Sequence, residues 1–122
     1  MHKSFIALAA LLSIPLLAAM GGDNVERDAN GAVVVKIVAQ RFNYTPAEVT
    51  LKRGQPAVLE FTSLDFIHGF KVPDLKLRAD LPPGKVIRIP LTPDKAGTYD
   101  FLCDNFCGAG HEEMNGRIIV VD

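Results

Sequence analysis

The sequence lacks several features that would assign it to a common functional class. Its 13 lysines and arginines are balanced by 14 aspartates and glutamates, which gives a formal net charge of −1. Because a nucleic-acid-binding surface needs a local excess of basic residues, this balance excludes that class. Tryptophan is absent, only two cysteines are present, and no stretch after residue 21 has sustained helical periodicity. A helical bundle and a disulfide-rich scaffold are therefore excluded as well.

One long apolar run does occur, at the start of the chain. Lys3 precedes an almost unbroken apolar stretch over residues 5–19, and small residues follow it up to Gly22. This order predicts a secretory signal peptide at residues 1–21. The run has about fifteen residues, fewer than the roughly 20 that span a membrane, although an uncleaved N-terminal anchor is the alternative. We therefore expect a periplasmic or otherwise exported protein with no membrane span in the mature chain.

The rest of the chain predicts one β-rich domain. Residues 22–31 are polar and charged, which favours a linker or a mobile N-terminus, and residues 32–122 form the predicted domain. Six runs alternate as half-buried strands do, and turns rich in proline and glycine separate them. These runs are 32–39, 48–52, 57–63, 85–91, 97–103 and 116–122. About seven short strands without a helix predict an all-β sandwich.

Both cysteines lie in one short stretch, CDNFCGAGHEEM, which begins at the end of a predicted strand. The pattern is Cys-x3-Cys-x3-His-x2-Met, formed by Cys103, Cys107, His111 and Met114. Two cysteines of an exported protein form a disulfide by default. In an extended strand their Cα atoms would lie about 13 Å apart, whereas a disulfide allows at most about 7 Å. A disulfide would therefore need a sharp turn, and closing so short a loop would contribute only about 2 kcal/mol.

His68 is the other candidate ligand. It follows a predicted strand, within a segment from residue 63 to residue 85 that is too long for a hairpin loop and so predicts a functional loop. A lone histidine is more often an ordinary surface or core residue, but Phe66, Ile67 and Phe70 would give this one an apolar edge that suits a shielded metal. A structural zinc site would use two thiolates and two imidazoles and leave Met114 without a role.

Copper explains the residues better. Thioether beside thiolate and imidazole is a copper ligand set, and a mononuclear blue-copper site uses one cysteine, two histidines and a weak methionine. Such a site would leave one cysteine over, whereas two copper ions bridged by both sulfurs would use Cys103 and Cys107. Spacing and ligand type favour copper, with zinc and a disulfide left open.

Three stretches resemble a known family. CDNFCGAGHEEM resembles the binuclear CuA loop of cytochrome c oxidase subunit II and of the C-terminal domain of nitrous-oxide reductase. DFIHGFKV (65–72) is similar to the segment that carries the first histidine of those domains, and FNYTPAEVTLKRGQPAVLEFTSLD (42–65) to the opening strands of cupredoxins. The resemblance spans roughly residues 33–121 and implies a Greek-key β-sandwich of the cupredoxin type.

The resemblance also implies the ligands of two copper ions. Cys103 and Cys107 would bridge the ions, His68 and His111 would each bind one, and Met114 and the backbone carbonyl of Asn105 would be the weak ligands. Since the ligand at position 105 would be a carbonyl, we expect any side chain to be tolerated there. The expected apolar shell consists of Phe66, Phe70, Phe101 and Phe106.

The function implied by this family is electron transfer rather than catalysis. We expect a monomeric electron carrier whose partner is a redox protein such as a cytochrome c or a terminal oxidase or reductase. Ala109 and Gly110 would let that partner approach His111. The acidic residues Asp104, Glu112 and Glu113 would either steer a basic partner or, the favoured interpretation, form an ordinary solvated loop.

Some features of the larger relatives have no counterpart in the sequence. The membrane hairpin of oxidase subunit II and the catalytic propeller of nitrous-oxide reductase are missing, so the resemblance is to the copper domain alone. Without tryptophan, an aromatic residue that accepts the electron would be Tyr44, Tyr99 or a phenylalanine. The alternative functions are a periplasmic copper carrier or chaperone, a mononuclear copper cupredoxin, and a structural sandwich with a disulfide and no metal.

Overall fold

The computed structural model describes residues 25–106 and 108–122, except for the side chain of His111. Within these residues the chain forms nine strands and two single-turn 3-10 helices, Pro73–Leu75 and His111–Glu113. The strands are β1 (Val33–Gln40), β2 (Asn43–Thr45), β3 (Glu48–Lys52), β4 (Ala57–Ser63), β5 (His68–Val72), β6 (Leu77–Leu81), β7 (Ile87–Leu91), β8 (Gly97–Leu102) and β9 (Asn115–Val121). Neither helix of the described ranges has the length to cross a membrane.

The strands form two sheets with a shared core. One sheet has the order β2-β1-β4-β7 and the other the order β3-β9-β8-β5-β6. Pairing is mostly antiparallel, but β1 runs parallel to β4 and β3 parallel to β9. Alternation in the sequence explains the burial, since β4 buries every second residue and leaves those between them half-buried. The predicted all-β sandwich is confirmed.

The prediction of one long loop from residue 63 to residue 85 is wrong. This segment contains β5, a 3-10 helix and β6, and the two strands pair antiparallel with His68 opposite Leu81. The outward residues Arg78 and Asp80 alternate with the inward residues of β6, which is itself a strand pattern. Glycine and proline around these five-residue strands obscure the signal. Only residues 64–67 connect β4 to β5 as a loop.

Part of the predicted N-terminal linker folds back onto β1. The side-chain oxygen Oδ1 of Asp28 accepts hydrogen bonds from the backbone N–H groups of Asn30 (2.8 Å) and Ala32 (2.9 Å). The N–H of Val34 donates to the carbonyl of Glu26 across 2.9 Å. These bonds attach residues 26–32 to the sandwich. The signal peptide predicted at residues 1–21 lies outside the described residues.

A cluster of buried aromatic rings supports one end of the sandwich. Phe70 and Phe101 lie 5.1 Å apart between ring centroids, and Tyr44 contacts Phe101 edge-on at 5.0 Å. Phe70 follows His68 by two residues, and Phe101 precedes Cys103 by two. Because alternate residues of a strand share a face, these rings pack beneath the candidate site. The hydroxyl of Tyr44 donates to the carbonyl of Gly69 across 2.6 Å.

Candidate metal centre

Three neighbouring strands bring together the candidate ligands that the structure describes. His68 begins β5, Cys103 follows β8 directly and Met114 precedes β9 directly. The order β9-β8-β5 within the sheet places these positions side by side, and the N–H of Cys103 donates to the carbonyl of Met114 across 3.1 Å. The three residues are 0%, 2% and 1% exposed. Three candidate ligand residues are therefore buried next to one another at the end of the sheet.

The imidazole of His68 is oriented for metal binding through Nδ1. Its Nε2 lies 2.8 Å from Oδ1 of Asp65, a carboxylate that can only accept, so in the neutral imidazole Nε2 donates and Nδ1 has the lone pair that a metal needs. Nδ1 lies 4.0 Å from Sγ of Cys103. A nitrogen and a thiolate bound to one ion at about 2.0 and 2.3 Å are separated by at most about 4.3 Å. One ion can therefore bind both atoms.

Asp65 is fixed from two sides. Its Oδ2 accepts a hydrogen bond from the backbone N–H of Arg41 across 2.9 Å. Desolvation acts to raise the pKa of the Asp65 carboxyl, but the bond from Arg41 and then the bond from His68 outweigh it and hold this pKa below the ordinary value. The carboxylate therefore stays ionised and orients the imidazole. No local sequence pattern encodes the contact with Arg41, which lies 24 residues from Asp65.

The sulfur of Cys103 lies among backbone groups. The N–H of Gly69 donates to Sγ across 3.3 Å, and Sγ lies 3.2 Å from the carbonyl oxygen of Asn105, to which it donates. A Cβ atom at position 69 would overlap with Oδ1 of Asp104. A side chain at position 69 would therefore displace Asp104, which glycine avoids where β5 approaches the loop after β8. The thiol of Cys103 therefore lies close to both the Asn105 carbonyl and the His68 imidazole.

Met114 is buried beside a cavity. The cavity has a volume of about 590 Å³ and borders Cys103 and Met114. Asp100 and Glu112 supply acidic groups to its lining. The cavity therefore lies next to two of the candidate ligand residues.

The turn between β1 and β2 supports the second half of the ligand loop. The ring of Phe42 packs against Gly108 and Gly110, where Cβ atoms would lie 2.9 and 2.6 Å from it. The sequence interpretation gave Gly110 the role of leaving room for a partner. In the structure its missing side chain makes room for Phe42 instead.

A polar network joins β6 to the same loop. The guanidinium of Arg78 binds both carboxylate oxygens of Asp104 and, through Nη1, Oδ1 of Asp80 at 2.8 Å. These bonds, that from Asp104 first, raise the pKa of Arg78 above its ordinary value. The bonds from Arg78 and then Asn105 lower the pKa of Asp80. Asp104 is therefore paired rather than free to steer a partner. Sequence reasoning missed Arg78 and Asp80 because it assigned β6 to a loop.

Of the remaining predicted residues, some lie outside the described part of the chain and others belong to the predicted apolar shell. Cys107 and the side chain of His111 lie outside the described residues. Among the residues that are described, no three histidine, cysteine, aspartate or glutamate side chains gather around a point. Phe106 is 76% exposed, so its assignment to an apolar shell is wrong. Phe66 contacts the His68 ring edge-on at 6.3 Å.

Comparisons with known proteins find similar sequences over about 70% of the chain. The chain is 35% identical over 86 residues to cytochrome c oxidase subunit 2 of Thermus thermophilus, in an alignment that covers 70% of this chain and 64% of that protein. It is 33% identical over 92 residues to nitrous-oxide reductase of Ralstonia nicotianae, with 72% of this chain and 14% of that protein covered. The chain thus spans less than two thirds of the length of either relative.

A solved structure and a family model also match this chain. The periplasmic domain of subunit II of cytochrome oxidase from Bradyrhizobium japonicum has a TM-score of 0.67 to this chain at 19% identity, and the match covers 73% of this chain and 83% of that one. At that identity the likeness concerns the fold alone. The model of the cupredoxin-like domain family matches residues 4–120. With this match over most of its length, and with two relatives above 30% identity, the chain belongs to the cupredoxin-like domain family.

Proposed function

We propose that the protein is an exported electron carrier with a binuclear copper centre. The observation that carries the proposal is the approach of Nδ1 of His68 to within 4.0 Å of Sγ of Cys103, with Nε2 held by Asp65. Copper bound there supplies one-electron transfer between its two oxidation states, with no covalent bond made or broken. The relatives named for cytochrome c oxidase and nitrous-oxide reductase support this chemistry.

The donor set fits copper better than zinc. The residues that would hold copper are those predicted from the sequence: Cys103 and Cys107 would supply thiolates, His68 and His111 imidazoles, and Met114 and the carbonyl of Asn105 the weak ligands. Met114 is 1% exposed beside Cys103, and a buried thioether beside thiolate and imidazole is a copper feature. A mononuclear blue-copper site would use only one of the two cysteines, whereas two copper ions that share both sulfurs would use both.

The residues around the ligands restrict their movement. The carboxylate of Asp65 holds the His68 ring, and the N–H of Gly69 stabilises negative charge on Sγ of Cys103. The ring cluster beneath the site and the ends of β5, β8 and β9 hold the ligand backbone. Ligands held in one arrangement suit both oxidation states, which keeps the reorganisation on electron transfer small.

The partners and the compartment are part of the same proposal. We expect a cytochrome c, or a terminal oxidase or reductase, to exchange electrons with the protein in the periplasm or another exported compartment. The predicted signal peptide at residues 1–21 supports export. The protein would act as a monomer and would catalyse no reaction of its own.

The cavity beside Cys103 and Met114 favours copper delivery as a second candidate function. A cavity of about 590 Å³ that reaches two sulfur residues offers a path by which copper can leave for a carrier's target. A copper-delivery protein would lose copper quickly to a chelator or an apo-partner and would exchange electrons slowly. An electron carrier would retain its copper and exchange electrons quickly.

Copper content after reconstitution tests the proposal. The reduced, metal-free protein is loaded with copper and desalted, and the ions per chain are counted. We expect two. One ion per chain, with a single strong blue absorption, would favour a mononuclear cupredoxin. A persistent disulfide with no copper uptake after reduction would reject both metal functions. Electron self-exchange and copper loss to a chelator, measured on the same sample, separate the carrier functions.

A further inference from the structure

The edge strand β6 contacts the ligand loop through side chains that point away from the core. Arg78 and Asp80 are the outward residues of β6. Asp104 and Asn105 follow Cys103 in the loop after β8, and Asp104 is bound by Arg78. The positions in contact are about 25 residues apart in sequence, as the bond between Asn105 and Asp80 illustrates. Tertiary contacts therefore determine where this part of the loop lies.

The Asn105 side chain uses its hydrogen-bonding capacity in two directions. Its Nδ2 donates to Oδ1 of Asp80 across 3.2 Å and to the backbone carbonyl of His68 across 3.3 Å. Its Oδ1 lies 3.4 Å from Nη2 of Arg78, which donates to it. The backbone carbonyl of the same residue accepts from Sγ of Cys103 across 3.2 Å. One residue thus joins the backbone at His68, the edge strand and the cysteine.

We propose that the Asn105 side chain is a positioning group that sets the distance of its own backbone carbonyl from Cys103 and His68. Its role toward copper rests on the proposed function. The role requires two donors and one acceptor on a short side chain, which asparagine supplies. An aspartate would instead present carboxylate oxygens to the His68 carbonyl and to Asp80. Under this proposal, few other side chains are tolerated at position 105, in contrast to the expectation from the sequence.

Amide hydrogen exchange in the reduced, copper-free protein tests the proposal without metal. The variants are Asn105→Leu, Asp80→Ala and the double variant. The reporters are the amide hydrogens of Gly69 and Cys103, which donate to Sγ of Cys103 and to the carbonyl of Met114. We expect both reporters to exchange about tenfold faster in Asn105→Leu, the equivalent of one net hydrogen bond.

Non-additivity and rescue distinguish positioning from general destabilisation. Asp80→Ala removes one of the two Nδ2 bonds together with the ion pair to Arg78, so the double variant should exchange less fast than the sum of the two single effects would give. Asn105→Gln keeps both donors on a longer side chain and should recover part of the protection. Asn30→Leu is the matched control. Asn30 is exposed in the turn that precedes the start of β1, whereas the residues near the candidate site, such as Arg41, follow the end of β1.

The copper-loaded protein gives the second readout. We expect the copper dissociation constant to rise about tenfold in Asn105→Leu, the usual effect of losing a partner that orients a metal ligand. Unchanged reporter exchange in Asn105→Leu, or effects that simply add in the double variant, would overturn the proposal. If the wild type binds no copper while the exchange pattern appears as expected, the proposed function fails and the positioning role of Asn105 stands.

Discussion

The backbone N–H of Gly69 in β5 donates a hydrogen bond across 3.3 Å to Sγ of Cys103, the residue after β8. The two residues are 34 positions apart, and the contact joins the His68 strand to the loop that carries the cysteine. A donor aimed at sulfur stabilises the thiolate that a metal requires. The approach depends on glycine, because a Cβ atom there would also lie 3.2 Å from the backbone nitrogen of Asn105.

Gly69→Ala should therefore displace the ligand loop. We expect weaker copper binding and an altered charge-transfer spectrum, because Asp104 has to move away from the new methyl group. The control is Gly84→Ala, at a position with open space but a φ of +80°. That substitution should cost about 1–2 kcal/mol of stability through backbone strain and leave the copper spectrum unchanged. Identical spectra for Gly69→Ala and wild type would contradict the steric argument.

Asp65→Ala should weaken copper binding through His68. The imidazole would lose the acceptor that fixes Nε2 at 2.8 Å, and such losses typically cost about 10–100-fold in metal affinity. Competition with a chelator of known affinity measures the change. Asp74→Ala, which removes an exposed aspartate in the 3-10 helix after β5, should have no effect. Equal affinity in Asp65→Ala and wild type would mean that packing alone orients the ring.

Tyr44→Phe should destabilise the sandwich beneath the site. The buried hydroxyl of Tyr44 donates to the carbonyl of Gly69 across 2.6 Å, and its loss should lower the free energy of unfolding by about 1–2 kcal/mol. Tyr99→Phe is a matched control, since that hydroxyl also donates to a carbonyl, of Lys95, across 2.6 Å but at an exposed position. Water can replace the Tyr99 bond, so urea denaturation should show a smaller loss. Equal losses would argue against the importance of burial.

Met114→Leu should change the redox potential while both copper ions remain bound. Met114 is a weak ligand in the proposed function, and leucine preserves most of its buried volume without a sulfur donor. Voltammetry and copper analysis of the same sample measure the two properties. Loss of both ions in this variant would mean that the thioether is needed to assemble the centre.

The sequence predicted local features and missed long-range ones. The strands with clear alternation, such as β3 and β4, were predicted with the bounds that the structure has. The spacing from Cys103 to Met114 was readable because these candidate ligands occupy one short loop. Asp65, by contrast, acquires its role from contacts with Arg41 and His68, and no local pattern encodes the contact with Arg41, 24 residues away.

The region between β4 and β7 illustrates the same limit. Short strands bounded by proline and glycine resemble a loop when they are read singly, and only their antiparallel pairing identifies β5 and β6. Once β6 is identified as a strand, Arg78 is placed next to Asp104, which it binds. The side chain of Asn105 then also has a role, because its Oδ1 accepts from Arg78. Whether Cys107 and His111 complete the ligand set is still a prediction from their spacing.

The electron paramagnetic resonance spectrum of the oxidised, copper-loaded protein is the most direct test of a binuclear centre. We expect one unpaired electron shared by two equivalent copper nuclei, which the hyperfine pattern reports. Cys107→Ser should abolish this pattern because one bridging sulfur is lost. Hyperfine splitting from a single copper nucleus in the wild type, or an unchanged pattern in Cys107→Ser, would contradict the binuclear assignment.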